Sequence, residues 1–402
     1  MLASIRLIEA RLIEDIQTRH YRYLYPAFSV DARLNGLIGQ RGVGKTTLML
    51  QYLKNHPEIR AKAIYFSADH IYFSKLTLYE FVENLYLTAG TTLFFIDEIH
   101  KYANWNQELK NLYDGFPSIK IVFSGSSSLE LIKGTYDLSR RALLSYLRGM
   151  SFREYLNFTT DLSIHPVKYE ELLTEKHTLQ KQLAGVERLK GLFQDYLKRG
   201  FYPFSIEGPE HFEERLLRVI EKTIFEDIAN FYHLKTENLP LFKKILSFLA
   251  SIPPGNVTIH NIAKNISVND RTIAGYLQIL QETGLIQMIY PYDGGNAILR
   301  KPEKIFLNNT NLCYALQTGF GKDIEVGTIR ELMFIQTIIA TNKKIYFSKT
   351  GDYRINDAIF EIGGPNKTRK KIQSEKNSYL IKDNLISTSK GEIPLIYFGF
   401  LY

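Results

Sequence analysis

The chain has 402 residues and a single cysteine, Cys313. One thiol builds neither a disulfide framework nor a cysteine zinc site, which fits a reducing compartment and makes the cytoplasm the expected location. No histidine or cysteine grouping has metal-ligand spacing. No apolar run approaches the roughly 18 residues that a membrane-spanning helix requires, so no membrane partner is expected. The first stretch carries Arg6, Glu9, Arg11, Glu14 and Asp15, which argues against the apolar region of a signal peptide. Repeats and low-complexity tracts are absent. Charge is the one composition signal that leans: a net +8 permits an acidic partner such as nucleic acid without requiring one.

What is present begins with Gly39-Gln40-Arg41-Gly42-Val43-Gly44-Lys45-Thr46, followed by Thr47. It reads G-x-x-x-x-G-K-T, the phosphate-binding loop of nucleoside-triphosphatases. The apolar run Leu34–Ile38 before it predicts a buried strand, and the residues after it have helical spacing, so the strand–loop–helix setting is met. Gly39 and Gly44 let the backbone curl where a side chain would block the phosphates. The curl aims N–H groups at one point, and the helix N-terminus adds positive potential. Lys45 reaches the β- and γ-phosphates, and the Thr46 hydroxyl is placed to ligate Mg²⁺.

Short apolar runs alternate with helical patterns from about residue 31 to residue 150. Strands are expected at Leu34–Ile38, Lys62–Ser67, Thr92–Ile96 and Ile119–Ser124, which means a parallel sheet with crossover helices. Leu93-Phe94-Phe95-Ile96-Asp97-Glu98 puts two acids at the C-terminal end of a buried strand, where open α/β sheets bind ligands. Asp97 would hold Mg²⁺, and Glu98 would polarise the attacking water. Solvated acids at a strand end are the plainer reading, and the phosphate loop upstream overrides it. Ser124, at the next strand end, can bond the γ-phosphate or the water, while Ser126, Ser127 or Ser128 caps the helix after it. Arg141 follows Ser139-Arg140, and an arginine facing the γ-phosphate stabilises charge in phosphoryl transfer. Spacing alone favours a surface arginine pair.

This order of motifs, with Arg141 ahead of Gly149-Met150-Ser151-Phe152-Arg153-Glu154-Tyr155 and with Trp105 after the Asp-Glu pair, resembles a family of bacterial and archaeal AAA-type ATPases. Members carry a winged helix and a C-terminal nuclease-like domain. The resemblance implies an α/β fold: an AAA-type P-loop parallel sheet, a helical lid, a winged helix-turn-helix and a C-terminal α/β nuclease-like domain. It matches Arg141 to the family's arginine and Gly200 and Pro203 to a family turn. The expected divisions are 1–30, an N-terminal helix docked on the core through Ile5, Ile8, Leu12 and Ile16; 31–150, the P-loop core; 151–235, the lid; 236–302, the winged helix; and 303–402, the nuclease-like domain.

Within the lid, helices are expected over Tyr169–Gln182, Leu189–Lys198 and Glu213–Phe231. In the winged segment, Thr258–Lys264 and Asn269–Glu282 read as helices around a turn at Ser267-Val268, with Ile273, Leu277 and Leu280 on the core face of the second. Leu285–Tyr290 and Ala297–Lys301 flank a hairpin signal at Asp293-Gly294-Gly295-Asn296. The second helix offers Arg271 and Gln278 to double-stranded DNA, but Asp270 and Glu282 balance its charge, so a packing role is equally open. In the last domain, Lys343–Ser348, Asn356–Ile362 and Leu395–Tyr402 read as strands. The family pattern there is a helical glutamate, a strand aspartate, then glutamate-x-lysine. Glu331, Asp357 and Glu361 match, whereas Gly363 stands at the lysine position and Lys367 would have to substitute from the following loop. The site is therefore expected to be degenerate. Lys367, Arg369, Lys370 and Lys371 form a basic cluster for a phosphate backbone or a merely solvated loop.

The reading that follows is an ATP-binding, Mg-dependent AAA-type ATPase that acts on or answers to DNA and assembles as a homo-oligomer if Arg141 works in trans. The alternatives are a nucleotide-gated DNA-binding regulator with little turnover and a metal-dependent nuclease. ATP rather than GTP rests on the resemblance.

Overall fold

Five apolar runs become parallel strands in the computed structural model: β1 Leu34–Ile38, β2 Ala63–Ser67, β3 Leu93–Asp97, β4 Lys120–Gly125 and β5 Leu143–Tyr146. The structure describes residues 2–125, 138, 140–160, 162–175, 177–292, 301–317, 324–387, 389 and 391–402. The expected caps Ser126, Ser127 and Ser128, and also Ser139 and the hairpin tip Asp293–Asn296, lie outside them. Two compact units are formed, residues 1–149 and 150–402.

In the first unit the strand order is β2-β3-β4-β1-β5, with Leu34 opposite Ile121 and Ile64 opposite Phe94. β1 and β3 are buried along their whole length, the pattern of strands covered on both faces. Helices α1 Leu2–Asp15, α2 Lys45–Asn55, α3 Leu78–Ala89 and α4 Trp105–Gly115 supply the cover. Phe94, Ile121 and Phe123 of the sheet pack with Phe81 and Leu85 of α3 and Leu109 and Leu112 of α4. Burying each such phenylalanine contributes about 2 kcal/mol. Thr77 starts α3 with a capping box: its hydroxyl accepts from Glu80 N at 3.1 Å, and its own N–H donates to the Glu80 carboxylate at 3.1 Å. Gly90, at φ 64°, ends it.

The docking face of α1 differs from the expected stripe. Ile5, Glu9 and Ile13 are buried, while Ile8 and Leu12 are 41% and 38% exposed. The edge strand β2 explains the rotation. Its free backbone groups need partners. Arg6 donates to Ala63 O at 2.7 Å, and Glu9 accepts from Tyr65 N at 2.9 Å. Two side chains thus stand in for a further strand.

The second unit opens with α5 Phe152–Thr160 and α6 Leu189–Asp195, which runs into a π-turn at Tyr196–Gly200. Two short helices, Tyr169–Thr174 and His177–Leu183, replace the single one expected there. α7 Phe212–Lys222 continues through a second π-turn, Thr223–Ile228. Next come α8 Leu239–Ser251, α9 Ile259–Ile266 and α10 Asp270–Glu282, then β6 Ile286–Ile289 paired antiparallel with β7 Lys304–Leu307. β7 lies downstream of the strand expected at 297–301, of which residues 297–300 fall outside the described residues. Ser267, at φ 59°, makes the turn between α9 and α10, and the Asn269 side chain caps α10 through Thr272 N at 2.8 Å.

α11 Thr310–Gln317 carries the buried Asn311. Its amide donates to Tyr196 O at 3.1 Å and Leu197 O at 2.9 Å and accepts from Phe201 N at 2.8 Å, bonding backbone groups at the first π-turn. α12 Val326–Ala340 packs on a second sheet, ordered β12-β11-β10-β9-β8. Its strands are β8 Tyr346–Phe347, β9 Tyr353–Ile355, β10 Ala358–Gly363, β11 Ser378–Lys382 and β12 Glu392–Pro394. The last apolar run is not a strand. Leu395–Phe400 coils into a 3₁₀ turn after Pro394, and Gly399 sits where an added Cβ would meet Phe152 Cβ at 2.5 Å. Phe400 packs edge-on to Phe152, and Arg153 donates to Tyr402 O at 2.9 Å, so the ends of this unit are joined.

Candidate nucleotide site

β1 ends at Ile38, and the chain curls through Gly39–Gly44 into α2. Gly42 and Gly44 take φ of 86° and 95°, a left-handed conformation that glycine adopts without strain. A Cβ on Gly39 would lie 2.3 Å from Leu147 O, so no other residue fits there. Gln40, Arg41 and Thr47 are half-buried along the same turn, and Val43 is buried beneath it. Lys45 is 4% exposed, and its ammonium donates to Gly39 O and Gln40 O, each at 2.9 Å.

β3 brings Asp97 to the same end of the sheet. One oxygen, Oδ2, accepts from the Thr46 hydroxyl at 2.6 Å and the Tyr65 hydroxyl at 2.9 Å. The other, Oδ1, accepts from the Ser124 hydroxyl and from Glu98 N at 3.1 Å. Sequence reasoning had Thr46, Asp97 and Ser124, and all three meet. It missed Tyr65, since a tyrosine in the run Ala63–Ser67 reads as ordinary core. Burial, then the Asp97 charge, pushes the Tyr65 hydroxyl far above its usual range, so it stays a donor.

Glu98 sits at φ 50°, an uncommon conformation for a residue with a side chain. Its Oε2 lies 3.5 Å from the Nε2 of His100, which is itself 2% exposed at the side chain. His100 is thus buried beside the acidic strand end. Arg22, also missed, is 4% exposed and donates to Val43 O in the loop and to Arg148 O.

Arg141 is elsewhere. β5 runs parallel to β1, with Leu143 opposite Asn35 and Tyr146 opposite Ile38. Arg141 precedes β5 and so lies at the sheet edge opposite its own phosphate loop. There it makes a two-pronged bond to Asp114, Nε to Oδ1 and Nη2 to Oδ2, both at 3.0 Å.

In the second unit, the three acids matched to a nuclease pattern do not come together. Glu331 accepts from the Tyr353 hydroxyl and pairs with Lys304 Nζ at 2.5 Å. Phe360, like Tyr353, packs against Phe334 of α12. Its neighbour Glu361 therefore faces the other side of β10. Asp357 is exposed in the turn between β9 and β10 and bonds Asn377 at 2.9 Å. Glu361 is 0% exposed and instead meets Lys367 at 2.6 Å and Lys371 at 3.3 Å, with Asp352 3.5 Å from Lys371. Lys367 does reach Glu361. The basic cluster is largely spent inside the unit, since Arg369 bonds Gly391 O at 2.6 Å and Ser378 O at 3.0 Å. Arg271 is exposed on α10, whereas Gln278 donates to Glu282 at 2.9 Å. Cys313 is buried, and burial pushes its thiol up to about 12. Among the described residues, no group of three His, Cys, Asp or Glu side chains is placed to hold a metal ion. No helix among them is long and apolar enough to cross a membrane.

The first unit is therefore an α/β fold of the P-loop nucleotide-binding type, with its loop and acidic strand end at one edge of a parallel sheet. Residues 31–156 match the family model of the AAA domain, and residues 190–323 match a domain of unknown function. An uncharacterized protein of Methanocaldococcus jannaschii is 30% identical over 285 residues, which is 67% of this chain. The chain spans 59% of that relative's length. Among solved structures, the replication initiator DnaA bound to AMPPCP and single-stranded DNA has a TM-score of 0.32 and 16% identity, covering 67% of this chain and 91% of that one. The S. cerevisiae Hsp104–ADP complex has a TM-score of 0.30 and 15% identity, covering 69% and 39%. Likenesses this distant carry no argument about what the chain does.

Proposed function

We propose that the chain is an AAA-type ATPase that binds ATP with Mg²⁺ and hydrolyses it. The observation that carries this is the junction of Thr46, Asp97 and Ser124 beside a glycine-built phosphate loop. Gly39 to Thr47 would hold the phosphates, with Lys45 exchanging the carbonyls of Gly39 and Gln40 for phosphate oxygens. The donor set at Thr46 and Asp97 is all oxygen, which suits a hard cation bound through few protein ligands. When bound, Mg²⁺ would neutralise charge on the phosphate oxygens. Glu98 would orient and deprotonate the attacking water, and Ser124 fixes the Asp97 carboxylate.

Arg141 lies at the far edge of its own sheet, so as an arginine finger it would serve a neighbouring copy, and turnover would require assembly. We read residues 151–235 as the lid, 236–302 as a winged helix-turn-helix and 303–402 as a degenerate nuclease-like domain. Three helices followed by an antiparallel strand pair support the winged reading. Arg271 is the exposed base on α10, the second helix of the helix-turn-helix, through which double-stranded DNA would bind. The buried thiol of Cys313 accords with the cytoplasm.

The test is ATP binding and turnover by the purified chain over a range of protein concentrations. Lys45→Ala should abolish binding, and Glu98→Gln should bind ATP without turning it over. Normal turnover by Glu98→Gln would remove Glu98 from the mechanism. Turnover per chain that rises with concentration would support Arg141 acting in trans.

A further inference from the structure

We infer that Arg22 is a positioning residue that sets the orientation of one peptide in the phosphate loop. The inference rests on the nucleotide-binding reading above and adds to it a residue outside the motif.

The peptide concerned joins Val43 to Gly44. In a trans peptide the carbonyl and the following N–H point in opposite directions. Arg22 Nη1 donates to Val43 O, so the Gly44 N–H is turned away from Arg22, to the other side of the loop strand. Gly44 sits at φ 95°, and glycine tolerates either orientation of the peptide before it. The loop sequence alone therefore leaves this peptide able to flip. A flip would replace an N–H with a carbonyl oxygen and would set that oxygen against a bound phosphate. The guanidinium removes the ambiguity with a charge-assisted bond in a buried setting, where such bonds are strongest.

The surrounding contacts show that this bond is directed at the loop and is not what fastens the segment. Residues 14–23 form a strap across α2 that other side chains already fix. Gln51 donates to Gln17 O at 2.7 Å and His20 O at 2.8 Å. Lys54 donates to Glu14 O and Ile16 O, each at 2.8 Å. Tyr23 donates to Tyr146 O at 2.8 Å and accepts from Arg148 N at 3.1 Å. Arg22 Nη2 meets Arg148 O at 2.8 Å, so the loop peptide is referenced to the exit of β5. Strap, loop and strand exit thus share one buried cation.

The experiment measures ATP and ADP affinity by calorimetry, together with thermal unfolding, for the full chain and three variants. Arg22→Met should bind both nucleotides about tenfold or more weakly. Arg22→Lys offers one ammonium for two carbonyls and should fall between Arg22→Met and the parent chain. Tyr23→Phe loosens the same strap without touching the loop and should keep affinity within about twofold. If Arg22→Met does not fold, Arg22→Lys against Tyr23→Phe carries the comparison. Parent-like affinity in the Arg22 variants, or an equal loss in Tyr23→Phe, overturns the inference and leaves the nucleotide reading standing. A parent chain that binds no ATP overturns both.

Discussion

Asp97 and Glu361 are both buried carboxylates on inner strands, at 3% and 0% exposure, and their surroundings treat them in opposite ways. Asp97 is met by neutral donors: the hydroxyls of Thr46, Tyr65 and Ser124 and the N–H of Glu98. Those bonds satisfy the oxygens without cancelling the charge, so the site keeps an attraction for a cation. Glu361 is met by two ammonium groups, from Lys367 and Lys371. Its charge is cancelled within the chain, and no equivalent attraction remains. Burial of an acid is therefore not in itself a sign of a metal site; the charge of its partners decides.

The largest expected effect tests that contrast directly. Asp97→Asn should lower Mg-dependent ATP turnover by about a hundredfold or more, whereas Glu361→Gln should leave it within about twofold. Equal losses in steady-state assays would mean that the two carboxylates are not functionally distinct. The second effect is on stability and runs the other way. Glu361→Gln takes the carboxylate partner from Lys367 and leaves Lys371 with Asp352 alone. Breaking a fully buried pair costs about 3–5 kcal/mol, but both lysines can turn toward solvent, so about 1–2 kcal/mol is expected. Chemical denaturation would read this as a lower midpoint with an unchanged slope. No loss of stability would mean that the cluster is not holding the sheet.

The same contrast explains what could be read from the sequence. The meeting of Thr46, Asp97 and Ser124 beside the glycine-built loop could be expected from the sequence, because the motif pattern sets residue types at fixed spacing on strand ends. Tyr65 could not, because an aromatic on a buried strand is core by default, and only the β2–β3 pairing, with Ser67 opposite Asp97, brings that strand alongside the acid. Arg22 lies far from the loop in sequence, and nothing in Arg19–Tyr25 distinguishes it from its neighbours. On α1 the apolar stripe pointed to Ile8 and Leu12, whereas the edge of β2 demanded Arg6 and Glu9, a polar requirement that periodicity does not reveal. In the second unit a small boundary shift mattered more. Asn356 takes φ 53° in the turn, so β10 begins at Ala358 and Asp357 stays in solvent. Asp352, which no motif singled out, joins the Glu361 cluster in its place.

The smallest expected effect separates the two sites by pH. Burial alone would lower the Lys371 ammonium, but Asp352 and Glu361 more than offset this and hold it above its ordinary 10.5. A cation whose folded value is raised contributes stability that is complete below the unfolded value and is lost as pH climbs through the folded one. The difference in melting temperature between the parent chain and Lys371→Met should therefore be constant through neutral pH and shrink above about pH 10.5. Buried tyrosines, Tyr65 and Tyr353 among them, also resist ionisation and destabilise the fold at high pH, but they do so in both proteins and cancel in the difference. Asp97, bonded to hydroxyls and an amide, has no cation of this kind in its set, so Ser124→Ala should show no such narrowing. A difference for Lys371→Met that persists undiminished at pH 11.5 would mean that the lysine contributes by packing its stem and not by its charge.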